Sequence, residues 1–222
     1  MNTKTKLAVD GCDAPDWHTP GRSTMRGGVR MDELTPLVAG DDVIGWGEFW
    51  ESLTPLWRRI LCGSDDPQPP PSEPILRRHR LTTDYAFAGS FEPVRWLPSV
   101  TEALLWEDNG MDLGPLTGRS WELLQLAGPA NVDLGQLSGT PVRRLILSNV
   151  DVGGLDGLRG LAGLESLTLA HGDFGQLPPL EHLTELVLYA EGDVNLSAKR
   201  HPRLRVTRHD EIYLAPFGPD DV

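Results

Sequence analysis

Two series of leucines, locked to one another and returning about every 20 residues, constrain this chain more than any other feature. The first consists of an apolar residue, any residue, then a second apolar residue. Its members are Leu104/Trp106, Leu124/Leu126, Leu145/Leu147, Leu167/Leu169, Leu186/Leu188 and Leu204/Val206, with leading positions 20, 21, 22, 19 and 18 residues apart. Three residues before the leading leucine stands another apolar residue in the central members: Trp121, Val142, Leu164 and Leu183. The second series trails the first: Leu113 and Leu116, Leu134 and Leu137, Leu155 and Leu158, Leu177 and Leu180, then Leu196. The phrase Asp112-Leu113-Gly114-Pro115-Leu116-Thr117-Gly118 returns as Asp133-Leu134-Gly135-Gln136-Leu137-Ser138-Gly139.

Side chains alternate along a strand, so both apolar residues of a Leu-x-Leu element point one way. A single turn of chain cannot bury them alone. Successive turns must stack, and the short strands then add up to a parallel sheet. The trailing leucines close each turn from the opposite side. About 20 residues per turn, with Pro115, Pro178 and Pro179 among them, leave room for 3₁₀ or irregular segments and not for full helices. The expected fold is an α/β solenoid over 101–209, with six strands at about 4.8 Å spacing and a sheet roughly 25 Å wide.

Val142-Arg143-Arg144-Leu145-Ile146-Leu147 and Leu164-Glu165-Ser166-Leu167-Thr168-Leu169 resemble the LxxLxL half of the leucine-rich repeat, in its short, degenerate bacterial form. The resemblance covers nearly half of the chain. It implies a short horseshoe with the parallel sheet on its concave side, and a role in binding other proteins. The family often places asparagine three residues after the second strand leucine. Those positions hold Asn109, Pro129, Val150, Gly172 and Glu191, so only one turn keeps it.

In this phase the residues between and beside the inward leucines form the concave face. A central column reads Leu105, Gln125, Ile146, Thr168, Val187 and Arg205. Ala103, Leu123, Arg144, Ser166, Glu185 and Arg203 flank it on one side, and Glu107, Ala127, Ser148, Ala170, Tyr189 and Thr207 on the other. The expected partner-binding residues are Leu105, Leu123, Gln125, Arg144, Ile146, Thr168, Glu185, Val187, Tyr189, Arg203 and Arg205, an apolar patch with a polar rim. Charge runs along this face from Glu102, Glu107 and Glu122 to Arg203, Arg205 and Arg208, a polarity able to orient a partner.

The rest of the chain serves the ends of the solenoid. Residues 1–30 are polar, rich in Gly and Pro, without apolar periodicity, and are expected to be disordered. Residues 31–62 are expected to form an aromatic-rich helical cap. Trp46, Phe49, Trp50, Leu53, Trp57, Ile60 and Leu61 recur at helical spacing. Thr54-Pro55 is an N-cap followed by proline at the first helical position, which gives two helices, 41–52 and 55–62. Such a cap covers core that a terminal turn would otherwise expose. Residues 63–74 read as a proline-rich linker. Residues 75–100 read as irregular or as a degenerate first repeat, with candidate strands at Tyr85–Phe87 and Val94–Leu97. Residues 210–222, with Ile212, Tyr213 and Leu214, form a C-terminal capping tail.

Composition narrows function by exclusion. The 222 residues carry a net charge of −12, and an acidic surface repels phosphate backbones, which argues against nucleic acid. The same charge favours a basic partner, or simply keeps the chain in solution. Cys12 and Cys62 provide neither a disulfide framework nor a zinc site. No apolar run is long enough for a signal peptide or a membrane span, so the expected compartment is the cytoplasm. GxxxxGK[ST], GxSxG and HExxH are all missing, and His171-Gly172-Asp173 reads as a surface pair. The chain is expected to bind another protein without catalysis or cofactor, as an inhibitor, immunity or sensor protein. The alternatives are a structural subunit of a larger complex, and an enzyme whose site lies between residues 75–100 and the edge of the repeat.

Overall fold

The computed structural model describes residues 35–64, 66–83, 89–189, 192–196 and 204–210. At its start, apolar residues on either side of Gly40-Asp41 fold back on themselves. Strand β1 (Pro36–Ala39) pairs antiparallel with β2 (Asp42–Gly45), and Gly40 takes φ +63° in the two-residue turn. The helix expected over 41–52 therefore starts later, as α1 (Trp46–Ser52). A Gly-Asp turn between two short apolar runs is the hairpin signal that helical spacing of the aromatics had masked. Helix α2 (Pro55–Cys62) begins as expected: the Thr54 hydroxyl accepts from the Trp57 N–H at 3.3 Å, and Gly63 ends the helix at φ +73°.

The aromatic residues of both helices are buried, yet three of them keep a polar role. The Trp46 indole N–H donates to the Pro70 carbonyl at 2.8 Å, Trp50 to Asp66 at 3.2 Å, and Trp57 to Ser90 at 2.9 Å. Buried indoles need such partners. For Trp46 and Trp50 the partners are carbonyls of the proline-rich stretch, which is thus fastened across the helices. The expectation of a plain linker over 63–74 is corrected further by α3 (Ser72–Leu76), which buries Ile75.

The main sheet has seven strands, all parallel: β3 (Arg80–Thr82), β4 (Glu102–Trp106), β6 (Leu123–Ala127), β8 (Arg144–Ser148), β9 (Ser166–Ala170), β11 (Glu185–Tyr189) and β13 (Arg205–His209). Each pairs with the next in chain order, which with few and short helices makes an α/β arrangement. Residues 75–100 supply β3, whose Leu81 is buried opposite Ala103. The strand expected at Val94–Leu97 is instead a 3₁₀ turn, Glu92–Trp96, because Pro93 fixes φ and has no N–H for a ladder. The candidate strand Tyr85–Phe87, the segment 1–30 and the tail after Asp210 lie outside the described residues.

Register confirms four of the Leu-x-Leu pairs and moves two. Leu124/Leu126, Leu145/Leu147, Leu167/Leu169 and Leu186/Leu188 are aligned and buried. In β4 the aligned pair is Ala103/Leu105, not Leu104/Trp106. The larger pair would have turned Glu102 toward the core as well, and burying an unpaired carboxylate is costly. As folded, Glu102 faces outward, 2.9 Å from Arg80 and 3.6 Å from Arg144. In β13, Val206 and Arg208 lie beside Leu186 and Leu188, a shift of two that leaves the faces unchanged.

Opposite the main sheet lie short parallel ladders, β5 (Gly110–Met111) with β7 (Asn131–Val132), and β10 (Gly172–Gln176) with β12 (Gly192–Asn195). 3₁₀ turns at Gly114–Leu116, Leu134–Leu137 and Asp156–Gly160 carry the trailing leucines inward. Leu113, Leu116, Leu134, Leu137, Leu155, Leu158 and Leu177 are all buried, and one continuous core runs from Leu37 to Val194. The asparagine position also moves in the first turn: after Leu105 it falls on Asp108, so none of these turns keeps it. One residue earlier in the later turns stand Gly128, Asn149 and His171, at φ +108°, +57° and +56°. A left-handed residue bends the chain out of the strand there. No helix among the described residues is long and apolar enough to cross a membrane.

Candidate functional site

The outer face of the main sheet, turned away from the continuous core, is lined by three columns. In register they read Arg80, Glu102, Leu123, Arg144, Ser166, Glu185, Arg205; then Thr82, Leu104, Gln125, Ile146, Thr168, Val187, Thr207; then Trp106, Ala127, Ser148, Ala170, Tyr189, His209. Burial divides this face. All five residues of β6 are buried, the pattern of a parallel strand covered on both sides. Leu123, Gln125 and Ile146 occupy the expected columns but are closed off, with Gln125 only 1% exposed. Leu105 is on the core side and fully buried, so it leaves the set of face residues. Glu107 leaves it too: it is buried, and its carboxylate accepts backbone N–H groups from Asp108 at 3.0 Å, Asn109 at 3.3 Å and Gly89 at 3.5 Å.

From β9 onward the face opens. Ser166, Thr168, Glu185, Val187, Tyr189 and Thr207 are half-buried, while Arg144, Arg205 and His209 are exposed. The Tyr189 ring stacks on the His209 imidazole, with centroids 4.8 Å apart and planes 18° from parallel. The Ser166 hydroxyl donates to Glu185 at 2.9 Å. Thr168, Val187 and Thr207 thus form a shallow floor between a charged column and an aromatic pair. Arg205 stands in the charged column, not the central one, and Arg203 lies outside the described residues. His209 joins the patch from β13 and Thr207 moves from the flanking column to the central one, since a single apolar residue, Val206, gives the sequence little hold on register there.

The expected charge polarity survives at one end only. Glu102 is engaged by Arg80 and Arg144, and Glu122 by Arg143 at 3.3 Å, which also reaches Glu165 at 2.9 Å. These hydrogen bonds to Glu165 and Glu122 raise the Arg143 guanidinium above its ordinary pKa. Many aspartates have local work as well. Asp112, Asp133, Asp151 and Asp173 each accept the N–H of the glycine two residues on, at 2.9–3.0 Å, closing a turn by a side-chain route. These four carboxylates thus each close a local turn.

No family model, curated protein or solved structure matches this chain, so the reading of this site rests on its own geometry.

A cleft of about 730 Å³ lies where residues 90–98 meet the β1–β2 turn and residues 112–119, the place considered for an enzyme site. Its two cations are engaged. Arg95 is 2.8 Å from Glu92 and 3.5 Å from Asp42. Arg119 donates to the carbonyls of Val94 and Leu97, at 2.8 and 2.5 Å, and lies over the Trp121 ring; burial lowers its pKa. The Thr117 hydroxyl donates to the Gly114 carbonyl at 2.8 Å, and the Ser90 hydroxyl accepts the Glu92 N–H at 3.1 Å. No group of three or more His, Cys, Asp or Glu residues among those described could hold a metal ion.

Proposed function

We propose that the chain is a short leucine-rich-repeat-type solenoid that works without catalysis, holding a protein partner on the open half of the outer, concave sheet face. Support for the solenoid comes from strands added one by one in chain order, with further parallel bridges between neighbouring turns at Trp121–Val142, Asn131–Asp151 and Pro141–Ala162. The observation that carries the binding reading is the change in burial along one sheet face. The face that is closed over β6 opens at β9 in two of its columns and at β11 and β13 in all three, and presents Val187, Thr168 and the Tyr189–His209 stack. A small apolar floor with an aromatic anchor and a charged rim suits a protein contact, in which a few central residues carry most of the affinity. An inhibitor, immunity or sensor role fits such a module, in the cytoplasm.

Val187→Glu should abolish capture of the partner while the thermal midpoint stays within about 2 °C of wild type, as for a substitution outside the core. The check is co-purification from the native host with wild-type and variant baits, followed by mass spectrometry and a thermal melt. Asp156→Lys, on an exposed 3₁₀ turn away from this face, is the matched control and should retain the partner. A stoichiometric partner held equally by all three baits would remove the open half-face as the docking surface.

A further inference from the structure

We propose that β13 is a docking edge, at which an extended acidic segment of a partner protein adds as an eighth strand of the sheet. Three observations converge on this strand. It is the last of the seven and pairs with β11 alone among the described strands, so one row of its backbone groups faces outward. The Arg205 N–H donates to the Thr184 carbonyl, which by alternation points Arg205, Thr207 and His209 at β11 and sends the N–H and C=O groups of Val206 and Arg208 to the free edge. Val206 sits on the core side beside fully buried Leu186, yet is 41% exposed, so an apolar neighbour on the next strand has somewhere to pack.

Charge defines the occupant. Twelve arginines lie among the described residues, and ten of them pair with an acid, donate to a carbonyl or make another polar contact. Among the described residues Arg205 and Arg208 meet no side-chain hydrogen-bond or ion-pair partner, and both stand on this edge. In a chain of net charge −12, two guanidinium groups on one edge strand, with no acid paired to either among the described residues, form a local inversion of sign. They also oppose a second copy. Antiparallel pairing centred on Thr207 would set Arg205 against His209 and Arg208 against Val206, bringing four arginines together. An added strand receives its affinity from main-chain bonds and its specificity from alternate side chains. The matching segment carries an acid beside Arg205, an apolar residue beside Val206 and a second acid beside Arg208: acid, apolar, any, acid in one direction, or the reverse.

This inference goes beyond the open face and stands without it. The test is panning of a phage-displayed library of random peptides of about ten residues, long enough for a strand, against the immobilised full chain. Enriched peptides should carry that acidic pattern. They should bind Val206→Pro, which removes an outward N–H and spares the bonds to β11, at least about tenfold more weakly, and Arg205→Glu/Arg208→Glu more weakly still. Hydrogen exchange should slow at the Val206 and Arg208 amides when the best peptide binds. Unchanged binding by Val187→Glu separates this edge from the open face. Failure to enrich, enrichment of peptides without acids, or equal binding by Val206→Pro overturns the proposal. So does binding seen only after deletion of residues 211–222, which would assign the edge to the chain's own C-terminal segment, or a dimer abolished by Val206→Pro, which would assign it to a second copy.

Discussion

Gly128 shows how much of this fold depends on single backbone positions. Its φ is +108°, and a Cβ built there would lie 2.2 Å from the Glu107 carbonyl oxygen. Gly118 has φ +75° with nothing within 4 Å of such a Cβ, so a side chain there meets only its own backbone strain. Gly128→Ala should therefore cost about 3 kcal/mol, strain and a backbone clash together, against about 1 kcal/mol for Gly118→Ala. Urea denaturation of the two variants checks the ranking, and equal losses would mean that the turn after β6 relaxes freely. Other residues show where a one-dimensional reading stops. Leu104 and Leu105 are both leucines in an apolar run, and size alone favours the Leu104/Trp106 phase. The choice falls to Glu102, whose two arginine partners come from strands 22 and 42 residues away, too distant for any local pattern to register. Gln125 and Ile146 were legible as outer-face residues, but not their burial, because cover from elsewhere in the fold leaves no periodic mark on the strand it covers.

Elements with internal periodicity were readable, and those defined by a tertiary contact were not. The four central strands, α2 with its Thr54-Pro55 start, and the 3₁₀ turns under the trailing leucines follow from spacing and capping chemistry. The β1–β2 hairpin carried a turn signal in Gly40-Asp41, overshadowed by tryptophans at helical spacing. The segment before α3 looked like a linker because prolines cannot join a ladder, yet its carbonyls are what the buried Trp46 and Trp50 indoles require. Trp46→Phe keeps an aromatic ring but removes the donor to Pro70 and the volume of the pyrrole ring. It should cost about 2–3 kcal/mol, cavity and lost hydrogen bond together, and should speed proteolysis within residues 64–71 before the rest of the chain is cut. If cleavage there matches wild type, the segment is held by packing and not by the indole bond.

At the scale of the molecule, the helical cap and the sheet share one core, continuous from Leu37 through Leu81 and Leu105 to Val194. Described tryptophans lie in the cap, in the 3₁₀ turn after it and at the first turns of the sheet, at 46, 50, 57, 96, 106 and 121, while the strands extend to His209. Their fluorescence therefore reports the first half, and far-UV circular dichroism the whole. Because the core has no internal gap, the two probes should give one coincident urea transition. An earlier fluorescence transition would mean that the helical N-terminal part melts apart from the sheet.

The in-order pairing of the strands carries one more consequence, for how such a chain can change length. Among the described residues β3 and β13 are the two outer strands of the main sheet, and every strand between them has its chain neighbours on either side. A tandem copy of the stretch between Leu167 and Leu186, spliced in after Thr184, would lie between β9 and β11 and meet a strand on each side. The sheet could therefore gain a strand without a change at either of its edges.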